Sequence, residues 1–212
     1  MKNEISVVVF DLGNVLIPFN YDLFLNKLDK KEIGLGKKFA ELYENNYEVH
    51  REFEKGKLSE DEYLKTVLKW ADYTMTREEF CREFSRIFSV NKKVADLLPV
   101  LKENYSLVLL SNTNAIHKKY GWEKYDFLKY FDKLILSHEV GAVKPEEKIY
   151  KAVEDFTHKL PSEHIFIDDY GQYAEAAIKF GWNAIKFIGY DNLVSELEKR
   201  NIILNEVSKA HK

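Results

Sequence analysis

Two textures of hydrophobic spacing divide the 212-residue chain. From about residue 20 to 89 the apolar positions recur only at helical spacing. Tyr21, Phe24, Leu25 and Leu28 fall at i, i+3, i+4 and i+7, and Leu35, Phe39, Leu42 and Tyr43 form a second stripe. Ser59 followed by Glu62 has the form of a capping box ahead of Leu64, Val67, Leu68 and Ala71. Thr76 with Glu79 repeats it ahead of Phe80, Phe84, Ile87 and Phe88. This stretch is expected to form about four short helices, in which the phenylalanines and Cys81 are packing residues.

Elsewhere strand and helix alternate. Ile5 to Asp11 is a nearly continuous β-branched run, the pattern of a strand covered on both faces. Asn91 is placed to cap a helix carrying Val94, Leu97, Leu98 and Leu101, and Leu107 to Ser111 reads as the next strand. Leu134 to Ser137 is a third. Pro145 suits the first turn of a helix presenting Ile149, Tyr150 and Val153. Ile165 to Asp168 is a fourth strand, followed by a helix that Gly181 would end, and Trp182 to Ile188 is a fifth. Strands separated by helices predict an α/β fold, a parallel five-stranded sheet in a Rossmann-like three-layer core. The helical stretch is then an insertion, giving a core of 1–17 and 91–212 and an inserted unit of 18–90.

Charge and composition narrow the function classes. Lys plus Arg number 32 and Asp plus Glu 35, a net charge of −3 that gives no footprint for nucleic-acid binding. Cys81 is the single cysteine, so no disulfide framework forms within the chain and no zinc site is built from cysteines. No apolar run near the start is long enough to span a membrane and no signal-like segment precedes it, so a cytoplasmic location is expected.

In open parallel sheets ligands bind beyond the carboxyl ends of the strands. Strand one ends in Asp11, strand two in Ser111 and Asn112, and strand four in Asp168 and Asp169, while Lys144 stands just ahead of the Pro145 helix. Three carboxylates sharing one crevice repel one another unless a cation sits among them. An all-oxygen donor set suits Mg²⁺, which readily shares its shell with a substrate phosphate. The formal charges of three Asp, one Mg²⁺ and Lys144 cancel, and such a site accepts a phosphate dianion.

These residues carry a family resemblance. Phe10-Asp11-Leu12-Gly13-Asn14-Val15-Leu16, Leu110-Ser111-Asn112-Thr113-Asn114, Lys144-Pro145 and Ile167-Asp168-Asp169 resemble, in order, the four motifs of the haloacid dehalogenase superfamily. The Asp-Leu-Gly-Asn opening and the Lys-Pro-Glu-x-x-Ile-Tyr stretch are most similar to its bacterial sugar-phosphate phosphatase branch, which includes α-D-glucose-1-phosphate phosphatases. The resemblance implies a Mg²⁺-dependent phosphomonoester hydrolase acting on a small phosphorylated metabolite beneath a helical cap. Asp11 would be the nucleophile that forms an aspartyl-phosphate. Asp11, Asp169 and the Gly13 carbonyl would hold the metal, with Asp168 in support. Ser111 and the Asn112 amide would hold phosphoryl oxygens, and Lys144 would neutralise charge and restrain Asp11. Asn14 and His117 are candidate substrate contacts.

Two positions depart from the wider family pattern. Gly13 stands where most phosphatases of the superfamily carry the Asp that protonates the leaving group, which by itself predicts a preference for substrates with an acidic departing oxygen. Tyr173 stands where Asp or Asn is usual. His50 and Arg51 lie ahead of Glu54 to Gly56, where a loop could reach into the site, and are read first as part of a charged helical face; His117 is read as a position on a helix surface or at the mouth of the crevice. Two rival functions remain open: a 2-haloacid dehalogenase-type hydrolase, and a low-turnover protein that senses a phosphorylated ligand.

Overall fold

The computed structural model describes residues 4–202. Five parallel strands form one sheet: β1 (Val7–Phe10), β2 (Ser106–Ser111), β3 (Lys133–Leu136), β4 (His164–Asp168) and β5 (Asn183–Lys186), in the order β3-β2-β1-β4-β5. The two-faced burial read from the sequence is met by alternation. Val8, Phe10, Leu107, Leu109, Ile165 and Ile167 pack into one apolar cluster, while Val7, Val9, Val108, Leu110 and Phe166 pack into another on the opposite face. Each predicted strand is present, within one or two residues at most ends.

The chain runs outward from β1 through β2 to β3, then returns to place β4 on the other side of β1. The switch in direction therefore lies between β1 and β4, where a crevice opens at the carboxyl edge. In-register pairing of Phe10 with Ile167 brings Asp11 and Asp168 to that edge together.

The stretch from 20 to 89 holds five helices rather than about four: α1 (Asp22–Asp29), α2 (Leu35–Asn45), α3 (Tyr47–Glu54), α4 (Glu60–Trp70) and α5 (Arg77–Ser85). The chain bends at Asn46, which leaves helical geometry at φ −128° and ψ 36°, so the segment after α2 forms a separate helix. Ser59 accepts from the Glu62 amide and completes the expected capping box, and Thr76 accepts from the Glu79 amide. Phe24 is the hub of the helical core, with ring centroids 5.2 Å from Phe39, 5.2 Å from Phe80 and 5.3 Å from Phe84. Edge-to-face pairs of this kind contribute about 0.5–1.5 kcal/mol each beyond area burial. Cys81 is buried in the same cluster, which also takes in Ile116 from beyond β2.

The entry and exit of this helical segment lie side by side. Ser89 donates to Pro18 O at 2.9 Å and Asn20 to Ile87 O at 2.9 Å, with Phe19 bridging Phe88 in antiparallel fashion. Asn91 stands at the expected N-cap position but makes no side-chain capping bond: its side-chain amide donates 3.0 Å to Val15 O, tying the exit to the loop after β1. The helix expected behind it is two short ones, α6 (Lys92–Ala95) and α7 (Leu98–Lys102).

Beyond β2 come α8 (Ala115–His117), α9 (Ser137–Val140), α10 (Glu147–Thr157), α11 (Gly171–Lys179) and α12 (Tyr190–Glu198). Pro145 does not open α10, which begins two residues later, because Glu146 is extended at ψ 132°. Gly181, at φ +90°, follows the end of α11 as expected. Among the described residues no helix is long and apolar enough to cross a membrane.

Candidate active site

The loop after β1 places the first functional residues. Asp11 N donates to Ile167 O at 2.9 Å, so the pairing with β4 persists one residue past the strand and fixes the Asp11 side chain in the crevice. The chain then turns tightly, Val15 N donating to Gly13 O at 2.6 Å and Asn14 N to Ile17 O at 3.1 Å. Asn14 takes φ +53°, a left-handed conformation that Asn tolerates better than most residues. Its side-chain amide donates 3.0 Å to Asp169 Oδ2, joining this loop to the end of β4.

Lys144 is the organising cation. It is 1% exposed, and its Nζ donates to Asp11 Oδ1 at 2.7 Å and to Asp168 Oδ2 at 2.7 Å. The ammonium also lies 5.0 Å from the Tyr173 ring centroid and 5.3 Å from that of Phe166. Tyr173, unexplained by sequence, is thus part of the aromatic bed beneath Lys144.

Asn112 holds the Lys144 backbone from both sides. Its Oδ1 accepts from Lys144 N at 2.7 Å and its Nδ2 donates to Lys144 O at 3.2 Å. The side-chain amide thus braces the lysine, while Ser111, buried beside it, donates to Asn112 O at 3.3 Å.

Asp11, Asp168 and Asp169 each offer one oxygen within 4.8 Å of the others. They are not equivalent. Asp168 has Lys144 on one oxygen and the Tyr170 amide, at 2.7 Å, on the other, so its lone pairs are largely committed within the protein. Asp11 and Asp169 each keep an oxygen without such a partner facing the crevice. Burial pushes the Asp11 carboxyl up to about 7, against the pull of Lys144, with Asp168 and Asp169 adding to the rise. Asp169 is raised as well, chiefly by burial. Burial works against the charge on Lys144, but Asp11 and Asp168 outweigh it and hold the ammonium above its ordinary pKa. The protein alone does not supply enough positive charge to match its three carboxylates, and an all-oxygen donor set of this size fits a hard divalent cation.

The cleft above these groups encloses about 580 Å³, and its far wall comes from α3: Tyr47, Arg51 and Glu54. These residues overturn the expectation of a charged, solvated face. His50 is 4% and Glu54 8% exposed, and Arg51 Nη2 donates 2.7 Å to Lys144 O. Burial opposes ionisation of Glu54, but His50 and then Arg51 outweigh it and keep the carboxyl below its ordinary value. The signal was present in the spacing of Tyr47, His50, Arg51 and Glu54 at i, i+3, i+4 and i+7, one face of a helix, but in polar residues.

His117 is neither on the surface nor at the mouth. It is 5% exposed and stacks on Phe84 with centroids 4.5 Å apart, and burial with nearby His50 lowers its pKa to about 3. It lines a smaller inner chamber of about 220 Å³ between the helices and the sheet. His138 Nδ1 lies 3.1 Å from Thr113 O, a bond within the sheet edge rather than in the cleft.

Helix α3 docks through close backbone contact. Gly56 follows it at φ +66°, and a Cβ there would run into the His138 carbonyl oxygen. Gly56→Ala is expected to lose about 1–2 kcal/mol from the left-handed backbone alone and to lift α3 off the core. Urea unfolding and the substrate KM measure both, and an unchanged midpoint with unchanged KM would contradict this docking.

Comparison with known proteins agrees with this geometry. The family model for haloacid dehalogenase-like hydrolases matches residues 5–181. A D-ribitol-5-phosphate phosphatase of Bacteroides thetaiotaomicron is 31% identical over 175 residues, spanning 78% of this chain and 83% of its own. The crystal structure of a HAD family enzyme from the same organism superposes with a TM-score of 0.77 at 27% identity, covering 86% of this chain and 93% of that one. A complex of that enzyme with magnesium and inorganic phosphate gives a TM-score of 0.72 at 27% identity over 85% and 93% of the two chains. An L-2-haloacid dehalogenase of Xanthobacter autotrophicus shares the fold at 17% identity, with a TM-score of 0.61 over 94% of this chain and 84% of its own. With a family match that runs from two residues before β1 to the turn after α11, the chain belongs to the haloacid dehalogenase-like hydrolases.

Proposed function

We propose that this protein is a Mg²⁺-dependent phosphatase that hydrolyses small phosphorylated polyols or sugars through an aspartyl-phosphate on Asp11. The observation that carries the reading is the Asp11 carboxylate, held at 2.7 Å by a buried lysine and grouped with two further carboxylates at the floor of the cleft. The phosphatase relative and the neighbour holding magnesium and phosphate support the same chemistry.

Asp11 and Asp169 enter the ligand set through their remaining carboxylate oxygens, and the family resemblance adds the Gly13 carbonyl, which also accepts from Val15 N at 2.6 Å. Asp11, Asp169 and the Gly13 carbonyl would hold the metal, with Asp168 anchoring Lys144 beside it. Bound there, Mg²⁺ supplies positive charge for the phosphoryl oxygens and offsets the repulsion among the carboxylates. Lys144 keeps Asp11 ionised and aimed, and its ammonium neutralises charge that builds up during transfer. Asn112 prevents the Lys144 backbone from drifting, and Ser111 stands at the strand end to meet a phosphoryl oxygen. Asn14 orients Asp169. The segment 18–90 acts as a cap on the core of 1–17 and 91–212. Its α3 closes the cleft, and the paired crossings at 18–20 and 87–89 serve as the hinge that lets substrate in. Dehalogenation asks for an apolar halide cradle, whereas in this cleft the charged Asp11, Arg51, Glu54, Lys144 and Asp169 stand among the aromatic lining residues.

Acid-quenching the protein during turnover tests the mechanism. A phosphoryl adduct is expected on the peptide containing Asp11 in the wild type, and none in Asp11→Asn. Substrate turnover with no adduct at any quench time, or an adduct on another residue, would refute covalent catalysis by Asp11.

A further inference from the structure

Gly13 leaves the phosphatase without a proton donor in the loop after β1, and the space is not empty. A Cβ at position 13 would lie 3.3 Å from Phe19 Cε1 and 4.0 Å from Asp11 Oδ2, so the Phe19 ring crowds any side chain placed there. An alkyl phosphate nevertheless needs its departing oxygen protonated, a contribution of roughly 10²–10⁴ in rate.

The cap offers a buried group in the right place. The cleft holding Asp11 and the inner chamber share five lining residues, Gly13, Phe19, Tyr47, Glu54 and Asn112, and Glu54 is the carboxylate at that junction. In-line attack by Asp11 sends the leaving oxygen to the side of phosphorus away from Asp11, toward the wall that α3 provides. Glu54 Oε1 lies 3.4 Å from His50 Nε2, and His50 Nδ1 lies 3.3 Å from the hydroxyl of Tyr63, which is fully buried. Both imidazole nitrogens are thus engaged, and a proton on His50 reaches the cleft by way of Glu54.

We propose that Glu54, backed by His50, exchanges the proton with the leaving oxygen, doing from the cap what position 13 does not. This rests on the phosphatase reading. In the first step the Asp11 oxygen–phosphorus bond forms and the ester phosphorus–oxygen bond breaks. The departing oxygen takes a proton that His50 imidazolium passes through the Glu54 carboxylate. In the second step water attacks phosphorus, the bond to Asp11 breaks, and the proton released by water returns through Glu54 to His50. The products are an alcohol and phosphate, and the pair ends as it began.

The test compares wild type, Glu54→Gln and His50→Gln, all with Mg²⁺, on two kinds of ester. The aryl ester 4-nitrophenyl phosphate has a leaving group acidic enough to depart without a proton. The alkyl esters are ribitol 5-phosphate and glycerol 3-phosphate. On an alkyl ester Glu54→Gln is expected to lose about 10²-fold or more in kcat/KM through a fall in kcat, and on the aryl ester to keep kcat/KM, which reports only the steps up to leaving-group departure, within about threefold of wild type. His50→Gln should show the same selectivity, and it decides the matter if Glu54→Gln gives no cooperative unfolding transition. Equal losses of kcat/KM on both esters, no loss on either, a loss confined to KM, or a wild type that turns over the aryl ester but neither alkyl ester would each overturn the proposal. A wild type inactive on the aryl ester would instead refute the phosphatase reading beneath it.

Discussion

Lys144→Met is expected to lower stability more than any other single change near the crevice that keeps side-chain volume, and to lower activity with it. The ammonium is the shared partner of Asp11 and Asp168, and all three groups are at most 7% exposed. Removing one partner of a buried ionic cluster leaves uncompensated charge and costs about 3–5 kcal/mol. Methionine fills nearly the same space, so the loss reads out charge and not a cavity. Without Lys144 the Asp11 carboxyl rises further above the unfolded value of 3.8, from which burial already lifts it. The folded state then holds a proton that the unfolded state releases, and stability falls as pH rises through that window. Thermal unfolding of the variant should therefore shift to higher temperature as pH is lowered from about 7 toward 5, and Mg²⁺ should recover part of the deficit at neutral pH. The loss of the transition-state cation should also reduce kcat by about 10²–10³-fold. A melting point unchanged from wild type at pH 7 would show that Lys144 does not carry the electrostatic balance assigned to it.

The core fold was readable because each of its strands is an apolar run bounded by polar residues, and the strand ends bring chemistry together by topology alone. Asp11, Ser111, Asn112 and the Asp168–Asp169 pair could be placed at one edge without any knowledge of contacts. Three features were not readable. Helix α3 buries His50 and Glu54 along with Phe53, so a search for apolar periodicity passes over it. The bracing of Lys144 by Asn112 spans 32 positions and depends on where a loop returns, which no local pattern encodes. Tyr173 departs from the family pattern, and only the three-dimensional arrangement shows its ring beneath the Lys144 ammonium. Pro145 was misplaced for a simpler reason. Its fixed φ suits a helix start, but the extended Glu146 delays α10 by two residues.

Asp11→Asn is the second large effect expected. The substitution keeps shape and a hydrogen-bonding oxygen for Lys144 while removing the nucleophilic charge. Burial already disfavours ionised Asp11, so the variant should be at least as stable as wild type without Mg²⁺, and its loss of activity will not reflect unfolding. The most direct measurement is hydrolysis of 4-nitrophenyl phosphate by wild type and Asp11→Asn, each with Mg²⁺ and each with a chelator. Hydrolysis by wild type with Mg²⁺, and background rates in the other three conditions, is the expected result. Activity that survives in folded Asp11→Asn, or wild-type activity indifferent to the chelator, would contradict a metal-assisted phosphatase built on Asp11.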